Sequence, residues 1–332
     1  MRFLVTGGAG FIGSNYIRHL LANDPDAAVT NLDKLTYAGN PATLADLEAD
    51  PRYTLVKADI LDESTVAEVV PGHDVIVNFA AETHVDRTIN AGTDAVTTNS
   101  VGVAVLCEAA RQAKVDRFLQ VGTDEEYGTI RTGSFSERDP LSPSSPYSAG
   151  KAGGSLVALA YGRTHGLDVV VTRCTNNYGP FQFPEKVIPL FVTNLIDGRK
   201  VPLYGSGGNV RDWLNVADHC GAIDLVLRRG TTGEVYNVGA GNEISNLELT
   251  RRLLAAFGAD ESMIEYVPDR LGHDWRYSVD ASKLHALGWA PEHPFDEGLA
   301  STIDWYRANE QWWRPLKAAR PVSQLGLDGK RV

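Results

Sequence analysis

A glycine-rich loop that follows the first apolar run without a gap constrains this chain more than any other feature. Arg2–Thr6 is apolar, and Gly7-Gly8-Ala9-Gly10-Phe11-Ile12-Gly13 comes straight after it and opens a segment with helical spacing, Ile12–Leu21. The loop satisfies G-x-G-x-x-G counted from Gly8 and G-x-x-G-x-x-G counted from Gly7. Glycines permit the tight turn and a close approach of backbone to a pyrophosphate, and the helix N-terminus behind them offers N–H donors and the positive end of its dipole.

The rest of the first half repeats the same alternation. Ala28–Leu32, Tyr53–Lys57, Val75–Phe79, Arg117–Val121 and Val169–Cys174 are apolar runs. Between them, Ser64–Val70, Val101–Lys114 and Tyr147–His165 have helical spacing. Continuous apolar strands separated by helices indicate a parallel sheet covered on both faces, and right-handed crossovers make it doubly wound. The expected class is therefore α/β, a Rossmann fold over residues 1–175 to which later segments return. From Asn176 the chain becomes rich in Pro, Gly, Asn and aromatics, with helices near Ile188–Asp197, Asp218–Leu227 and Asn246–Phe257. This predicts a smaller mixed α/β substrate-binding domain over 176–316, placed at the C-terminal ends of the main strands, and a loosely held tail over 317–332.

Composition excludes several classes. With 42 acidic against 31 basic side chains the net charge is −11, which argues against nucleic acid or an anionic membrane as a partner. A small phosphorylated ligand remains compatible, because a few arginines suffice to hold it. No run is long and apolar enough for a signal peptide or a membrane span. Cys107, Cys174 and Cys220 lack metal-ligand spacing, so no metal is expected and a reducing, cytoplasmic setting is.

The cofactor can be read further. Asp33 stands at the end of the second strand, about twenty residues beyond the last glycine, where a carboxylate meets a ribose 2′-hydroxyl and repels a 2′-phosphate. That favours NAD over NADP. Asp59-Ile60 ends the third strand and faces the adenine edge.

Two further groups carry chemistry. Tyr147 and Lys151 are four apart and share a helix face, so the ammonium can stabilise the phenolate of a tyrosine acting as base. Thr123-Asp124-Glu125 follows the fifth strand and puts two carboxylates at the mouth of the crevice. Neighbours in extended chain point to opposite faces, so both can serve one substrate only if the backbone bends there.

Taken together these residues resemble the extended short-chain dehydrogenase/reductase superfamily, and within it the dTDP-glucose 4,6-dehydratases. The resemblance runs from Met1 to about Lys317. Besides the glycine loop it includes Asp33-Lys34-Leu35-Thr36-Tyr37-Ala38-Gly39-Asn40 and Ala80-Ala81-Glu82-Thr83-His84-Val85-Asp86-Arg87. Asn176-Asn177-Tyr178-Gly179-Pro180, Pro184-Glu185-Lys186 and Pro202-Leu203-Tyr204-Gly205 continue it. Asn209-Val210-Arg211-Asp212-Trp213 and Asp269-Arg270-Leu271-Gly272-His273-Asp274 complete it.

The resemblance implies a reaction and a set of roles. Tyr147 takes the proton from the sugar O4 while NAD accepts hydride from C4, with Thr123 hydrogen-bonding and Lys151 assisting. Glu125 abstracts the C5 proton, Asp124 protonates the departing C6 hydroxyl, and hydride returns to C6. The product is dTDP-4-keto-6-deoxyglucose, and tightly held NAD is restored each cycle. Cofactor contacts are expected from Gly7, Gly10, Phe11, Ile12, Gly13, Asp33, Lys34, Leu35, Thr36, Asp59 and Ile60. Ala80, Ala81, Thr83, Thr98, Tyr147, Lys151 and Asn177 complete that set. The substrate is expected to meet His84, Thr123, Asp124, Glu125, Tyr147, Asn176, Asn177, Lys186 and Val187, then Pro202, Tyr204, Arg211, Asn246, Arg270 and His273.

Three positions depart from the resembled pattern. Glu126 stands where valine is common, and a buried carboxylate there demands a cationic or polar partner pointing it away from the sugar. Gly122 and Gly150 each replace a serine, which removes hydroxyls near the cofactor. The resemblance also implies a homodimer through a four-helix bundle built from the Ala- and Gly-rich segments Val101–Lys114 and Tyr147–His165. Other readings stay open: a 4-epimerase, against which the Asp124-Glu125 pair stands; a dehydratase of a UDP- or GDP-sugar, of which Asp33 speaks against the GDP-mannose enzymes; and, more remotely, an NAD-sensing regulator without chemistry.

Overall fold

The structure, a computed structural model, describes residues 1–83, 92–269 and 272–319. The first apolar run forms β1 (Arg2–Thr6), and the glycine loop leads into α1 (Phe11–Asn23). There follow β2 (Ala28–Asp33), β3 (Tyr53–Lys57), α2 (Glu63–Val69) and β4 (Val75–Asn78). A helical stretch from Gly92, with one π turn at Thr97–Val101, runs into α3 (Gly102–Ala113). Next come β5 (Arg117–Thr123), α4 (Pro146–His165) and β6 (Val169–Cys174).

These strands, joined by β10 (Val235–Val238), make one seven-stranded sheet in the order β10-β6-β5-β4-β1-β2-β3, with every neighbouring pair parallel. The order reverses between β1 and β4, which opens a crevice at their C-terminal ends. Alternation along β1 explains how both faces are covered. Phe3 and Val5 join Tyr16, Ile17 and Leu20 of α1 and Ile223 and Val226 of α6 (Val216–Arg229) on one side. Leu4 points the other way, into a core with Val66 of α2, Leu106 and Ala110 of α3, and Ala158 of α4.

A third core lies over the strand ends. It gathers Ile188, Phe191 and Leu195 of α5 (Val187–Ile196) with Leu249 and Leu253 of α7 (Asn246–Ala256) and Ile303 and Tyr306 of α8 (Phe295–Ala308). Two small sheets accompany it. β7 (Asn176–Tyr178) pairs parallel with β9 (Val210–Asn215), which pairs antiparallel with β11 (Glu243–Ser245). β8 (Val201–Tyr204) pairs parallel with β12 (Ile264–Val267).

The last helix among the described residues, α9 (Glu310–Ala319), runs through the point where the sequence suggests that a tail begins, and its Lys317 Nζ pairs with Asp197 at 2.8 Å. Its indole at Trp313 is fully buried. Positions 320–332 lie outside the described residues. No helix among the described residues is long and apolar enough to cross a membrane.

Candidate active site

The crevice is a cleft of about 450 Å3 between the main sheet and the third core. Its floor at one end is the glycine loop. Gly7 has φ +69°, and a Cβ there would stand 2.7 Å from the backbone nitrogen of Ala80, so the chain needs glycine twice over. A Cβ on Gly13 would meet the carbonyl of Gly7 at 2.5 Å, which keeps α1 close against its strand. Helix α2 is capped by the Asp62 side chain and α4 by Ser145, but α1 begins at Gly10 with no side-chain cap. Its first N–H groups therefore face the cleft as donors for an anion.

Asp33 is buried at the end of β2, and its carboxylate accepts from the backbone N–H of Ala9 at 2.9 Å and of Leu35 at 2.7 Å. Burial, only partly offset by these bonds, pushes its pKa above the usual carboxylate range. Lys34 pairs with Asp59 at 2.6 Å and closes that end. Along the other wall, the π turn aims Asn99 back at the chain leaving β4, where its amide exchanges bonds of 2.9 and 3.1 Å with the backbone of Glu82.

At the sheet's end, Thr123 closes β5 and caps a single 3-10 turn, Asp124–Glu126. This turn is the bend that two adjacent carboxylates need to face one cleft. Asp124 is buried; its Oδ1 accepts from the Thr123 hydroxyl at 3.2 Å and its Oδ2 has no hydrogen-bond partner among the described residues. Burial, then the negative charge of Glu125, drives the Asp124 pKa well above the usual range. Tyr147 and Lys151 project from the first turns of α4. Lys151 Nζ donates to the carbonyl of Val121 at 2.5 Å, and burial lowers its pKa while Glu126 opposes that shift. Burial, then Glu125, raises that of the Tyr147 phenol.

Of the sequence-derived cofactor positions, all but Leu35 line this cleft. Leu35 takes φ +56° and spends its N–H on Asp33, serving the loop's shape. Of the substrate positions, Asn176, Asn177, Lys186, Val187, Pro202, Tyr204, Arg211, Asn246 and His273 line it, together with Thr123, Asp124, Glu125 and Tyr147. His84 and Arg270 lie outside the described residues. Lys186 Nζ reaches the Thr83 carbonyl at 2.9 Å, bridging the two walls. Arg211 is held by the carbonyls of Val210 and Asp274, with its guanidinium 4.2 Å from the centre of the Tyr277 ring. Asn177 is oriented by His219, whose Nδ1 is 2.9 Å from the amide oxygen.

Sequence reasoning missed Tyr277. Its hydroxyl donates to Asp274 at 2.7 Å and lies 3.5 Å from Glu125 Oε2. No local motif marks it, because it arrives 152 positions after Glu125.

Comparison with known proteins follows the same lines. A family model described as GDP-mannose 4,6 dehydratase matches residues 4–302. A dTDP-glucose 4,6-dehydratase of Streptomyces niveus is 54% identical, the match covering 99% of each chain. The crystal structure of a dTDP-glucose 4,6-dehydratase from Streptomyces venezuelae with NAD bound matches at TM-score 0.94 and 54% identity, over 96% of this chain and 100% of that one. The chain belongs to the dTDP-glucose 4,6-dehydratase family. A UDP-glucose 4-epimerase from Thermotoga maritima shares the fold at TM-score 0.87 and 29% identity, over 93% of this chain and 100% of that one.

Within that dehydratase frame, the three departures have structural reasons. Glu126 is fully buried and outside the cleft lining, paired with Arg173 Nε at 2.7 Å. A Cβ on Gly122 would stand 2.5 Å from Glu126 Oε1, so Gly122 makes room for the carboxylate. The loss of a hydroxyl at 122 is thus coupled to the acid at 126. Gly150 instead lets α4 pack closely: a Cβ there would meet the Ala95 carbonyl at 3.0 Å.

Proposed function

We propose that the chain dehydrates dTDP-glucose to dTDP-4-keto-6-deoxyglucose and water. The observation that carries this reading is the bent Thr123-Asp124-Glu125 turn, with one buried, proton-holding acid beside a carboxylate in the same cleft. An epimerase has no use for such a pair, and a pure sensor has none for the Tyr147–Lys151 pair.

The residues present fit NAD. The uncapped helix start and the strained Gly7 turn suit the diphosphate, and the Asp33 carboxylate suits a ribose 2′-hydroxyl but repels a 2′-phosphate. Gly10, Phe11, Ile12, Asp33, Lys34 and Asp59 would hold the adenosine half, and Ala80, Thr83, Tyr147, Lys151 and Asn177 the nicotinamide half. When bound, NAD supplies the oxidant that removes hydrogen from C4 and gives it back at C6.

Tyr147 takes the O4 proton. Burial and the neighbouring carboxylates hold its phenol protonated, so the step depends on positive charge beside it, which Lys151 supplies four residues on. The C4 ketone acidifies C5–H, and Glu125 receives that proton. Asp124, still protonated because it is buried, gives its proton to the C6 hydroxyl as it leaves as water. The Tyr277 hydroxyl, which donates to Asp274, stands beside Glu125 Oε2 at 3.5 Å and bounds the space that carboxylate occupies. Arg211, Lys186 and Asn246 offer cationic and amide groups to the nucleotide diphosphate.

We also propose a homodimer. The glycines at 150, 153 and 154 pack α4 against the stretch preceding α3 inside the subunit, while Val96, Val101 and Leu156 on these adjoining segments are 43%, 51% and 55% exposed. Such a patch suits a symmetric helical interface. Light scattering at micromolar concentration reads it, and a monomeric mass refutes it. Three buried free cysteines suit a cytoplasmic setting.

The deciding experiment incubates the purified protein with dTDP-glucose in deuterated water, without added cofactor. Loss of one water with a deuteron at C5 supports the dehydratase and a resident cofactor together. Inversion at C4 without water loss points to an epimerase. No change even with NAD added removes this substrate, and UDP- and GDP-sugars are tried next.

A further inference from the structure

Glu126 is fully buried, and its carboxylate ties three elements together. Oε1 accepts from the backbone N–H of Thr123 at 3.2 Å and from the hydroxyl of Ser155 at 2.9 Å. Oε2 accepts from Arg173 Nε at 2.7 Å, and Arg173 donates onward to the Tyr127 hydroxyl at 2.9 Å. Thr123 begins the acid–base turn, and Arg173 stands in β6 directly opposite Gly122 of β5. Ser155 is one helical turn beyond Lys151 and two beyond Tyr147, so all three share a face of α4. Fixing Ser155 therefore fixes the rotation of the helix that carries the base.

We infer that Glu126 is a positioning residue for the proposed reaction: its carboxylate clamps the Thr123–Glu125 turn to α4, so that Tyr147 and Lys151 are held against that turn with an acidic group on the face they share. The inference rests on the dehydratase reading above. The ionisable groups around the Tyr147–Lys151 pair are Asp124, Glu125 and Glu126 on the turn and Cys174 on β6, with Arg173 beyond Glu126. Burial alone favours a neutral amine at Lys151, and Glu126 is the foremost charge opposing it, followed by Cys174. Glu126 also acts on Tyr147, after Glu125 and Cys174, by holding its proton more tightly. Removing the charge therefore moves both groups the same way, toward lower pH.

The test is Glu126→Gln, which keeps an oxygen for Thr123 and Ser155 while it removes the charge and turns an amide NH2 toward Arg173 Nε–H. Two readouts are taken: NMR titration of the Lys151 amine in protein carrying isotope-labelled lysine, and the pH profile of kcat for dTDP-glucose. The expected result is a Lys151 midpoint lower by about one pH unit and a kcat profile displaced the same way, with KM and NAD content unchanged. A folded variant with both unmoved, and only a lower Tm, overturns the inference and leaves Glu126 a structural partner of Arg173. If the lone Arg173 charge prevents folding, Glu126→Gln with Arg173→Gln removes the buried pair together. The same downward shift is expected there, because Glu126 is the foremost charge opposing the effect of burial on Lys151. An unshifted midpoint in that double variant again overturns the inference. If the wild-type protein fails to convert dTDP-glucose, the dehydratase reading falls, whereas the Lys151 titration still judges the electrostatic role of Glu126.

Discussion

The Tyr277 hydroxyl stands 3.5 Å from Glu125 Oε2, although the two residues are 152 positions apart in the chain. Burial first, then the charge of Glu125, pushes the phenol's pKa upward, so it keeps its proton and serves as a donor. Its stronger bond goes to Asp274 at 2.7 Å. Tyr277→Phe therefore leaves Glu125 less firmly aimed at C5. The expected loss is about 1.4 kcal/mol, roughly tenfold in kcat, with NAD content unchanged. Steady-state turnover measured beside cofactor stoichiometry checks it; an unchanged kcat removes Tyr277 from the site's working parts.

Gly7 and Gly133 separate two costs of adding a methyl group. Both have positive φ, +69° and +77°, but Gly133 has nothing within 4 Å of a built Cβ, while Gly7 faces the Ala80 backbone at 2.7 Å. Gly133→Ala should destabilise by about 1 kcal/mol from the backbone alone and keep its NAD. Gly7→Ala should lose more than that and be purified without cofactor. Thermal unfolding and released NAD measure the pair, and equal behaviour of the two variants contradicts the close approach at Gly7.

Much of this arrangement is legible in the sequence because it is local. Arg2–Thr6 and Val169–Cys174 are strands with the same bounds in both readings, since runs of apolar residues buried on both faces leave little ambiguity, and the half-exposed edge strand Tyr53–Lys57 keeps its bounds as well. The glycine loop and the Tyr147–Lys151 spacing are equally local. Other features depend on register. That Glu126 needs a cation follows from its burial, but that the cation is Arg173 follows only from β5 lying beside β6. The helix preceding α3 begins at Gly92, earlier than the apolar spacing from Val101 suggests. Its part over residues 95–100 packs closely on Gly150, Gly153 and Gly154, a contact that a one-dimensional pattern does not contain. Tyr277 enters the cleft for the same long-range reason.

Asp124 links its proposed acid role to stability with a definite sign. Its pKa is raised by folding, so ionisation is harder in the folded state than in the unfolded one. The penalty is absent below the ordinary value of 3.8, then grows as pH rises toward the folded-state pKa. Asp124→Asn resembles the protonated side chain and escapes the penalty. It should be more stable than wild type at neutral and alkaline pH, converge with it near pH 3.8, and lose about 10²-fold or more in water elimination. Denaturant unfolding at several pH values, with turnover at each, reads both. A variant less stable than wild type at pH 8 would falsify the assignment of a buried, proton-holding acid.

His219 has the opposite linkage. The imidazole is fully buried behind Asn177, Nδ1 is 2.9 Å from the amide oxygen, and Nε2 has no hydrogen-bond partner among the described residues. Desolvation pushes its pKa down to about 3 from 6.5. A depressed folded-state pKa means the contribution is complete above 6.5 and is lost as pH falls toward about 3, where the folded ring finally takes a proton. Within that window wild type should lose about 1.4 kcal/mol per pH unit from this one residue. His219→Gln still offers an N–H to Asn177 but cannot titrate. It should begin less stable at pH 7, because the amide fits the ring's space imperfectly, and then show an acid-unfolding slope shallower by about one proton. Equal slopes for the two proteins between pH 6 and pH 4 would mean that His219 gains its proton without unfolding, and that Asn177 is oriented by something other than a neutral imidazole.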